Sequence, residues 1–399
     1  MKEGWEMKIF DDVISSSLIG LVRNNKEQSP EFLYRYFKMN NIKNDNGLNE
    51  ESMTFVNATD DEVEKYRLRD NDFLFNTRNS FELVGKSCLY KSDYKGPTLF
   101  NNNILRVTFK EILSPQFAAY AFSTAGIKEE LEKMKSGTTS VVGIYYKSLK
   151  NLKLPIPPLP EQKQIVAILD QAFAAIDQAK ANIEKNIQNA KELFQSKLNE
   201  IFSQKGEGWE EKKFGDIARY DKSKRTKSNL PYVGLEHIES NTGKFIGTYN
   251  PVEVKSSTFQ FDERHILYGR LRPYLNKVIT TYFEGHCSTE IFPILPNNSV
   301  DREYLFFWFL TPLTVDKIDA TCTGARMPRA NMNEVINFKL PIPSLAVQKE
   351  VVKTLKRLKD KVEELDINLN NKLVDIDELK KSILQKVFEG ELTEKELVA

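Results

Sequence analysis

The feature that most constrains the fold of this 399-residue chain is an internal repeat. The stretch KLPIPPLPEQKQIVAILD begins at Lys153, and the related stretch KLPIPSLAVQKEVVKTLK begins 186 residues later, at Lys339. Other segments recur in the same order: GWEMKIFDDV at Gly4 returns as GWEEKKFGDI at Gly208, RYFKMNNI at Arg35 as PYVGLEHI at Pro231, and DFLFNTR at Asp72 as HILYGRLR at His265. A period of roughly 200 residues predicts two copies of one domain rather than a solenoid of short repeats.

The repeated phrase precedes a long helix in each copy. Its prolines favour extended backbone, and we expect Pro160 at the first helical position with Glu161 in the positive first turn. Apolar residues then recur at intervals of three and four, which is the spacing of a coiled-coil seam. The seam of the first helix, which we expect to stop near Gly206, is Ile165, Leu169, Ala172, Ile176, Ala179, Ile183, Ile187, Ala190, Phe194, Leu198 and Ile201. The seam of the second is Val351, Leu355, Leu358, Val362, Leu365, Leu369, Leu373, Ile376, Leu379, Ile383 and Val387.

The two apolar stripes agree in length and phase, so we predict that they pair with each other inside one molecule, in antiparallel orientation. The alternatives are two independent core helices or pairing with another chain. Upstream of each helix, short apolar runs between Gly and Asn turns predict strands, loops and some helix. The predicted fold class is α+β: two homologous α/β heads separated by two long antiparallel coiled-coil helices, with a pseudo-twofold internal repeat. The predicted boundaries are 1–155 for the first head, 156–206 for the central helix, 207–342 for the second head and 343–399 for the C-terminal helix.

Composition narrows the class of protein. The formal net charge is +1, so a nucleic acid would have to be held by local basic patches. The cysteines Cys88, Cys287 and Cys322 have neither zinc nor disulfide spacing, which predicts a reducing compartment. The chain starts without an apolar signal region, which argues against secretion. The longest apolar run, Tyr304 to Leu310, is too short to cross a bilayer and predicts a buried helix.

The sequence contains no convincing catalytic motif. SFELVGKS at Ser80 lacks the first glycine of a phosphate-binding loop. NPVE at Asn250 departs from the Asn/Asp-Pro-Pro-aromatic loop of an adenine methyltransferase, and EVK at Glu253 matches a nuclease motif over only three residues. GHCSTE around Cys287 is best interpreted as a core strand, and His237, His265 and His286 lack ligand spacing. We therefore predict neither catalytic residues nor a metal site.

Polar loops provide the candidate binding residues. Arginine can bond guanine and asparagine can bond adenine in a bidentate way, whereas lysine, serine and threonine suit phosphate. A solvated surface loop would have a similar composition, but such loops recur at matching places in both copies. The candidates in the first head are Asn76, Thr77, Arg78, Asn79, Lys135, Thr138, Thr139 and Ser140. Those in the second head are Lys222, Lys224, Arg225, Lys227, Arg270, Arg272, Lys277, Arg326 and Arg329.

These features together resemble the specificity subunits of type I restriction-modification systems, over essentially the whole chain. The most specific marks are the paired LPIP junctions, the long helices behind them and the Gly-Trp openings at Gly4 and Gly208. GRLRPYLNK at Gly269 and GARMPRANMNEV at Gly324 also resemble stretches of that family. The second junction departs from the pattern, because AVQ ending at Gln348 replaces PEQ.

The resemblance implies a function in phage defence. Each head would be a target recognition domain that reads one half of a split target in double-stranded DNA. The helices would set the gap and bind two modification (methyltransferase) subunits, and restriction (translocase/endonuclease) subunits would join them. S-adenosylmethionine, ATP and Mg²⁺ would be bound by these partners, and this chain would hold no cofactor and perform no chemistry within the adenine-N6 methyltransferase and endonuclease complex.

The resemblance also implies a location in the prokaryotic cytoplasm, without a membrane partner. Polar residues on the outer faces of the helices, for example Gln162, Lys163 and Gln178, are candidates for contact with the modification subunits. The main alternative is a two-headed coiled-coil adaptor that does not bind DNA, and the near-neutral net charge slightly favours it. A second alternative is a single-chain enzyme, which the missing motifs disfavour.

Overall fold

The computed structural model describes residues 4–138, 141–203, 206–227, 229–324 and 326–391. The candidates Thr139 and Ser140 therefore lie outside the described residues. Contacts between residues divide the chain into two units. Unit 1 is Met1–Ala181 with Leu373–Ala399, and unit 2 is Asn182–Lys372. Each unit contains one head and one part of each long helix.

The first head consists of short strands and short helices that precede the first long helix. Its elements are β1 (Glu6–Ile9), α1 (Phe10–Val13), β2 (Ile14–Ile19), β3 (Tyr34–Phe37), β4 (Thr54–Val56), α2 (Asp60–Tyr66), β5 (Phe73–Asn76), β6 (Arg78–Asn79), β7 (Ser87–Leu89), β8 (Thr98–Phe100), β9 (Ile104–Phe109), α3 (Pro115–Ala121), α4 (Ala125–Met134), β10 (Ser136–Gly137), β11 (Val142–Gly143), α5 (Tyr146–Leu149) and β12 (Lys153–Ile156). The first long helix, α6, follows at Leu159–Ser203.

The second head follows a similar order with fewer elements among the described residues. Its elements are β13 (Glu210–Lys213), α7 (Phe214–Ile217), β14 (Ala218–Tyr220), β15 (Tyr232–Val233), β16 (Thr258–Phe261), β17 (Ile266–Gly269), β18 (Val278–Thr280), β19 (Gly285–Ser288), β20 (Ile291–Pro296), α8 (Arg302–Leu310), α9 (Pro312–Asp319), α10 (Met332–Val335) and β21 (Lys339–Ile342). The second long helix, α11, follows at Leu345–Glu389. Short 3₁₀ helices lie at 25–27, 39–41, 235–237 and 273–275.

The four-stranded sheets of the two heads correspond strand by strand, whereas the smaller sheets correspond only in part. An antiparallel sheet of order β2-β9-β5-β7 in the first head matches β14-β20-β17-β18 in the second. A second sheet contains a parallel pair in both heads, β3 with β8 and β15 with β19. Its third strand differs, because β4 adds to β3 whereas β16 adds to β19. The small sheet β10-β11-β6 is reduced in the second head to isolated bridges of Arg329 with Leu271 and Thr323.

The repeated phrase forms the same junction twice. β1 pairs antiparallel with β12, with Glu6 opposite Ile156, and β13 pairs with β21 in the same register, with Glu210 opposite Ile342. The Gly-Trp opening of each head therefore joins the KLPI strand from which the long helix starts. The first long helix begins at Leu159. Pro160 is therefore its second residue, and the prediction that Pro160 is the first helical residue is wrong.

One glutamine fixes each helix to its head. The Gln162 amide accepts from the Ser114 backbone N–H at 2.8 Å and donates to the carbonyls of Ile112 and Pro157, both at 2.8 Å. Gln348 forms the equivalent bonds to Asp301, Ser299 and Pro343. Both glutamines are fully buried. Gln162 therefore faces the head, and the suggestion that it lies on an outer face of the helix is wrong.

Within each unit the long helices pair in antiparallel orientation. In unit 1, Lys180 pairs with Asp377, and Lys380 pairs with Asp177 at 3.1 Å. In unit 2, Lys191 pairs with Asp366 at 3.0 Å. Residues with higher numbers in α6 pair with residues with lower numbers in α11, as antiparallel pairing requires. The predicted pairing inside one chain is confirmed in both units.

The helices also complete the core of each unit. In unit 1, the buried side chains of Leu384 and Val387 belong to the same core as Trp5 and Phe117 of the first head. In unit 2, Leu198 and Leu355 join a core that contains every residue from Tyr304 to Leu310, which confirms the predicted buried helix. None of the helices in the described ranges combines the length and the apolar character that crossing a bilayer requires.

Candidate nucleic-acid interface

In the first head, Arg78 and Asn79 lie on the small sheet, where they pair with Gly143 and Val142 of β11. The Arg78 side chain is exposed, and its guanidinium lies 5.4 Å from the ring centroid of Tyr145, which is 47% exposed. A guanidinium over an aromatic ring keeps its charge while the ring restricts its orientation. The pair gives this edge of the head a mixed cationic and aromatic surface.

The loop after Asn79 is held by Lys135. The Lys135 ammonium donates to the carbonyl of Phe81 at 2.6 Å, lies 4.5 Å from the Phe81 ring and forms an ion pair with Glu132. Only 5% of the Lys135 side chain is exposed, so it supports the loop. The Phe81 ring is 52% exposed. Thr138 is exposed, and its backbone N–H donates to the carbonyl of Val141.

Two predicted contact residues of the first head are buried. The Asn76 side chain donates to the carbonyl of Leu83 at 3.1 Å, and the Thr77 hydroxyl donates to the carbonyl of Asn103 at 3.0 Å. Both side chains hold the turn between β5 and β6. In this structure they orient the backbone that carries Arg78, and they do not form part of the exposed surface.

In the second head, Arg270 and Arg329 meet at one carboxylate. Arg270 Nε donates to Glu290 at 3.0 Å, and Arg329 donates from Nε at 3.1 Å to the same group. Burial alone would raise the pKa of Glu290, but the hydrogen bonds and charges of Arg329 and Arg270 lower it below the ordinary value. Glu290 therefore stays ionised at neutral pH. Sequence reasoning named both arginines but missed Glu290, whose only signal is an acidic residue directly before β20.

The loop after Arg270 has an unusual backbone. Arg272 adopts a left-handed conformation with φ of 51°, and its N–H donates to the carbonyl of Pro328 at 2.8 Å. Such a conformation is uncommon for a residue other than glycine. The contact joins this loop to the segment that carries Arg326, and both arginine side chains are exposed. Lys277 differs, because its ammonium donates to the carbonyls of Leu235 and Ile238 and so stabilises the head from inside.

The basic segment from Lys222 to Lys227 extends this surface. The Lys222 ammonium lies 4.4 Å from the Phe292 ring, and the Arg270 guanidinium lies 5.3 Å from the same ring. Arg225 pairs with Glu253 at 3.3 Å, and Lys227 pairs with Glu284 at 2.7 Å. Lys224 is exposed. The structure thus brings Lys222, Arg270 and Arg329 together, whereas Arg225 and Lys227 are partly neutralised beside β16.

Within the described ranges, no group of three or more His, Cys, Asp or Glu side chains is placed to hold a metal ion. His286 is buried, with Nδ1 3.1 Å from the Thr258 hydroxyl and Nε2 3.0 Å from the Val252 carbonyl. Burial lowers the pKa of His286, and the nearby Arg225 lowers it further. Its contacts therefore belong to the framework of the head.

The family model of the type I restriction modification DNA specificity domain matches residues 2–189 and again residues 206–374. The chain belongs to this family. It is 27% identical over 365 residues to the specificity subunit of the type I restriction enzyme EcoDI of Escherichia coli. This alignment covers 81% of this chain and 80% of that protein. It is 24% identical over 410 residues to a putative type I restriction enzyme MjaX specificity subunit of Methanocaldococcus jannaschii, over 98% of this chain and 94% of that protein.

Solved structures agree on the fold. A chain from a type I restriction-modification system, solved to explain its assembly and conformational transition, aligns over 98% of this chain and 99% of its own, with a TM-score of 0.75 and 16% identity. The HsdS subunit of Thermoanaerobacter tengcongensis aligns over 98% of both chains with a TM-score of 0.59 and 16% identity. The resemblance inferred from the repeated junctions and the predicted fold class are therefore confirmed.

Proposed function

We propose that this chain is the sequence-specific DNA-recognition subunit of a type I restriction-modification complex. Each head reads one half of a bipartite target in double-stranded DNA, and the chain directs methyltransferase and restriction subunits to that target. The observation that carries the proposal is the position of the arginines. In both heads, the segment that follows the central strand β5 or β17 presents arginine beside an aromatic ring, as Arg78 beside Tyr145 and as Arg270 beside Phe292.

In this proposal, the partner subunits carry out the methylation and the ATP-dependent reactions. Two modification subunits bind S-adenosylmethionine and methylate adenine at N6, and restriction subunits use ATP and Mg²⁺. The chain contributes location and spacing. Its near-neutral net charge fits this division, because local arginines supply base contacts while much of the phosphate grip can come from the partners.

The first test measures duplex DNA binding by the purified chain at several salt concentrations. We expect the logarithm of affinity to fall linearly with the logarithm of salt, because bound cations replace counterions on phosphate. Replacing exposed Arg326 with Ala should reduce the slope by about one contact. The exposed Arg69, which pairs with Glu64 and is not a candidate contact residue, provides a matched arginine control in the first head.

Two outcomes would contradict the proposal. If a folded chain fails to bind any duplex at low salt, alone and with its modification subunit, the two-headed adaptor is the better account. If the purified chain alone transfers a labelled methyl group from S-adenosylmethionine to DNA, it is an enzyme. The proposal requires methyl transfer only when the modification subunit is present.

A further inference from the structure

Glu290 is the centre of a cluster in the second head. Its carboxylate accepts from Arg270 Nε at 3.0 Å and from Arg329 Nη2 at 3.0 Å and Nε at 3.1 Å. About a quarter of the Glu290 side chain is exposed, and the arginine side chains are 33% and 38% exposed. The cluster is therefore accessible to a ligand, yet ordered by its own contacts.

The contacts leave N–H donors of each guanidinium for another acceptor. Arg329 uses Nε and Nη2 on Glu290 and Nη1 on the Met327 carbonyl at 3.4 Å, which leaves two of its five donors. A guanidinium carries five N–H donors in a planar fork, and Arg270 uses its Nε on Glu290. The terminal amino groups at the far end of that fork have the geometry that bonds the O6 and N7 acceptors of guanine. The Phe292 ring, which is 4% exposed, supports the Arg270 guanidinium from another side at 5.3 Å. The Glu290 carboxylate and the Phe292 ring together restrict the side-chain rotation of Arg270, which would be free in an arginine without these contacts.

We propose that Glu290 is a positioning residue that fixes Arg270 and Arg329 to read a guanine in the half-site of the second head. The inference rests on the proposed function and adds the base chemistry of one head. Without the carboxylate, two neighbouring guanidinium groups would repel each other, and each would lose the bond that sets its plane. The arginines would then still attract phosphate, which needs charge but not one fixed orientation.

At the positions equivalent to this cluster, the first head has different residues. The Arg270 backbone N–H donates to the carbonyl of Glu290, and the Thr77 N–H donates to the carbonyl of Asn103 in the same way. Likewise, the carbonyls of Arg270 and Thr77 accept from the residues that follow Arg329 and Gly143. Thr77, Asn103 and Gly143 thus occupy the positions of Arg270, Glu290 and Arg329. The Arg–Glu–Arg reader therefore belongs to the second head alone among these equivalent sites, and the two half-sites should differ in base chemistry.

The experiment uses the full chain with its modification subunit in cells, with adenine methylation read by sequencing. The variants are Glu290→Gln, which removes the charge but keeps the size, and Arg329→Lys, which keeps the charge but removes the fork. The matched control is Glu303→Gln, because Glu303 also joins two cations, Arg302 at 2.8 Å and Lys356 at 3.2 Å, and neither of them is a candidate contact residue. Thermal unfolding of each purified chain reports separately on structure.

We expect Glu290→Gln and Arg329→Lys to relax the same guanine position in one half-site, by about five- to 150-fold in discrimination, which is the range for one bidentate contact. The other half-site should keep its sequence, and Glu303→Gln should leave both unchanged. Unaltered discrimination in Glu290→Gln would overturn the inference. The inference would also be overturned if both cluster variants lost methylation equally at all sequences and unfolded at a lower temperature. The cluster would then only stabilise the fold of the head. A wild-type chain that directs methylation to no bipartite sequence would instead overturn the proposed function.

Discussion

At the scale of single residues, the chemistry of a side chain identified candidates, but its surroundings decided what each one does. Lys135, Lys277, Asn76 and Thr77 all have donors suited to DNA, and all use them on carbonyls of their own head. Arg78, Arg272 and Arg326 remain exposed. The sequence could not separate these groups, because a loop residue and a buried turn residue have the same type and the same neighbours. The role of each exposed candidate in DNA contact stays a prediction.

The buried glutamine of the first junction gives a prediction at this scale. Gln162→Leu leaves the Ser114 N–H and the carbonyls of Ile112 and Pro157 without their partner, and an unsatisfied buried group costs about 1–3 kcal/mol. We expect faster hydrogen exchange of the Ser114 amide and of the first turns of α6. Gln164→Leu, at an exposed position two residues further on, should change neither. Equal exchange in the two variants would show that the amide does not hold the junction.

At the scale of elements, the long helices were predictable and the sheets were not. Because helix periodicity is local, the steps of three and four and the Pro-rich entry predict both ends of α6 and the start of α11 to within a few residues. The predicted C-terminal helix extends to 399, whereas α11 ends at Glu389. The strands have two to six residues, and their partners are distant in sequence. Nothing local determines that β4 adds to β3 while β16 adds to β19. Strand pairing of this kind depends on packing across the sheet.

The end of α11 gives a prediction at the element scale. Leu384 is 7% exposed in the core of unit 1, whereas Leu379 on the same helix is 50% exposed. Leu384→Ala should destabilise unit 1 by about 2–5 kcal/mol, because it removes buried methyl groups and leaves a cavity. Leu379→Ala should change stability by no more than about 0.5 kcal/mol. Urea unfolding followed by hydrogen exchange of unit 1 measures both. Similar effects of the two variants would contradict the packing of α11 on the first head.

At the scale of the whole molecule, the duplication carried most of the information. It predicted the two heads, the paired helices and the family, because the same junction is needed wherever a head meets its helix. It could not predict Glu290 as a partner of Arg270 and Arg329, because the three residues come from separate segments of the second head. Recognition chemistry therefore requires the fold, while architecture can be inferred from the repeat.

We propose that the heads read DNA while the helices set the distance between the half-sites. This division of roles is tested by inserting four residues after Asn186 in α6 and four after Lys372 in α11. Four residues are close to one turn of 3.6, so the apolar stripes stay roughly opposed, and each helix gains about 6 Å. Inserting two residues at each place rotates the stripes by about 200° and should abolish methylation through loss of helix pairing.

The decisive measurement is the sequence of methylated sites in cells that carry the four-residue variant with the modification subunit. Duplex DNA rises about 3.4 Å per base pair. We expect the same two half-sites, separated by a gap that is about one or two base pairs longer. An unchanged gap with full methylation would contradict the claim that the helices set the distance. A changed half-site sequence would contradict the claim that the heads alone read the bases.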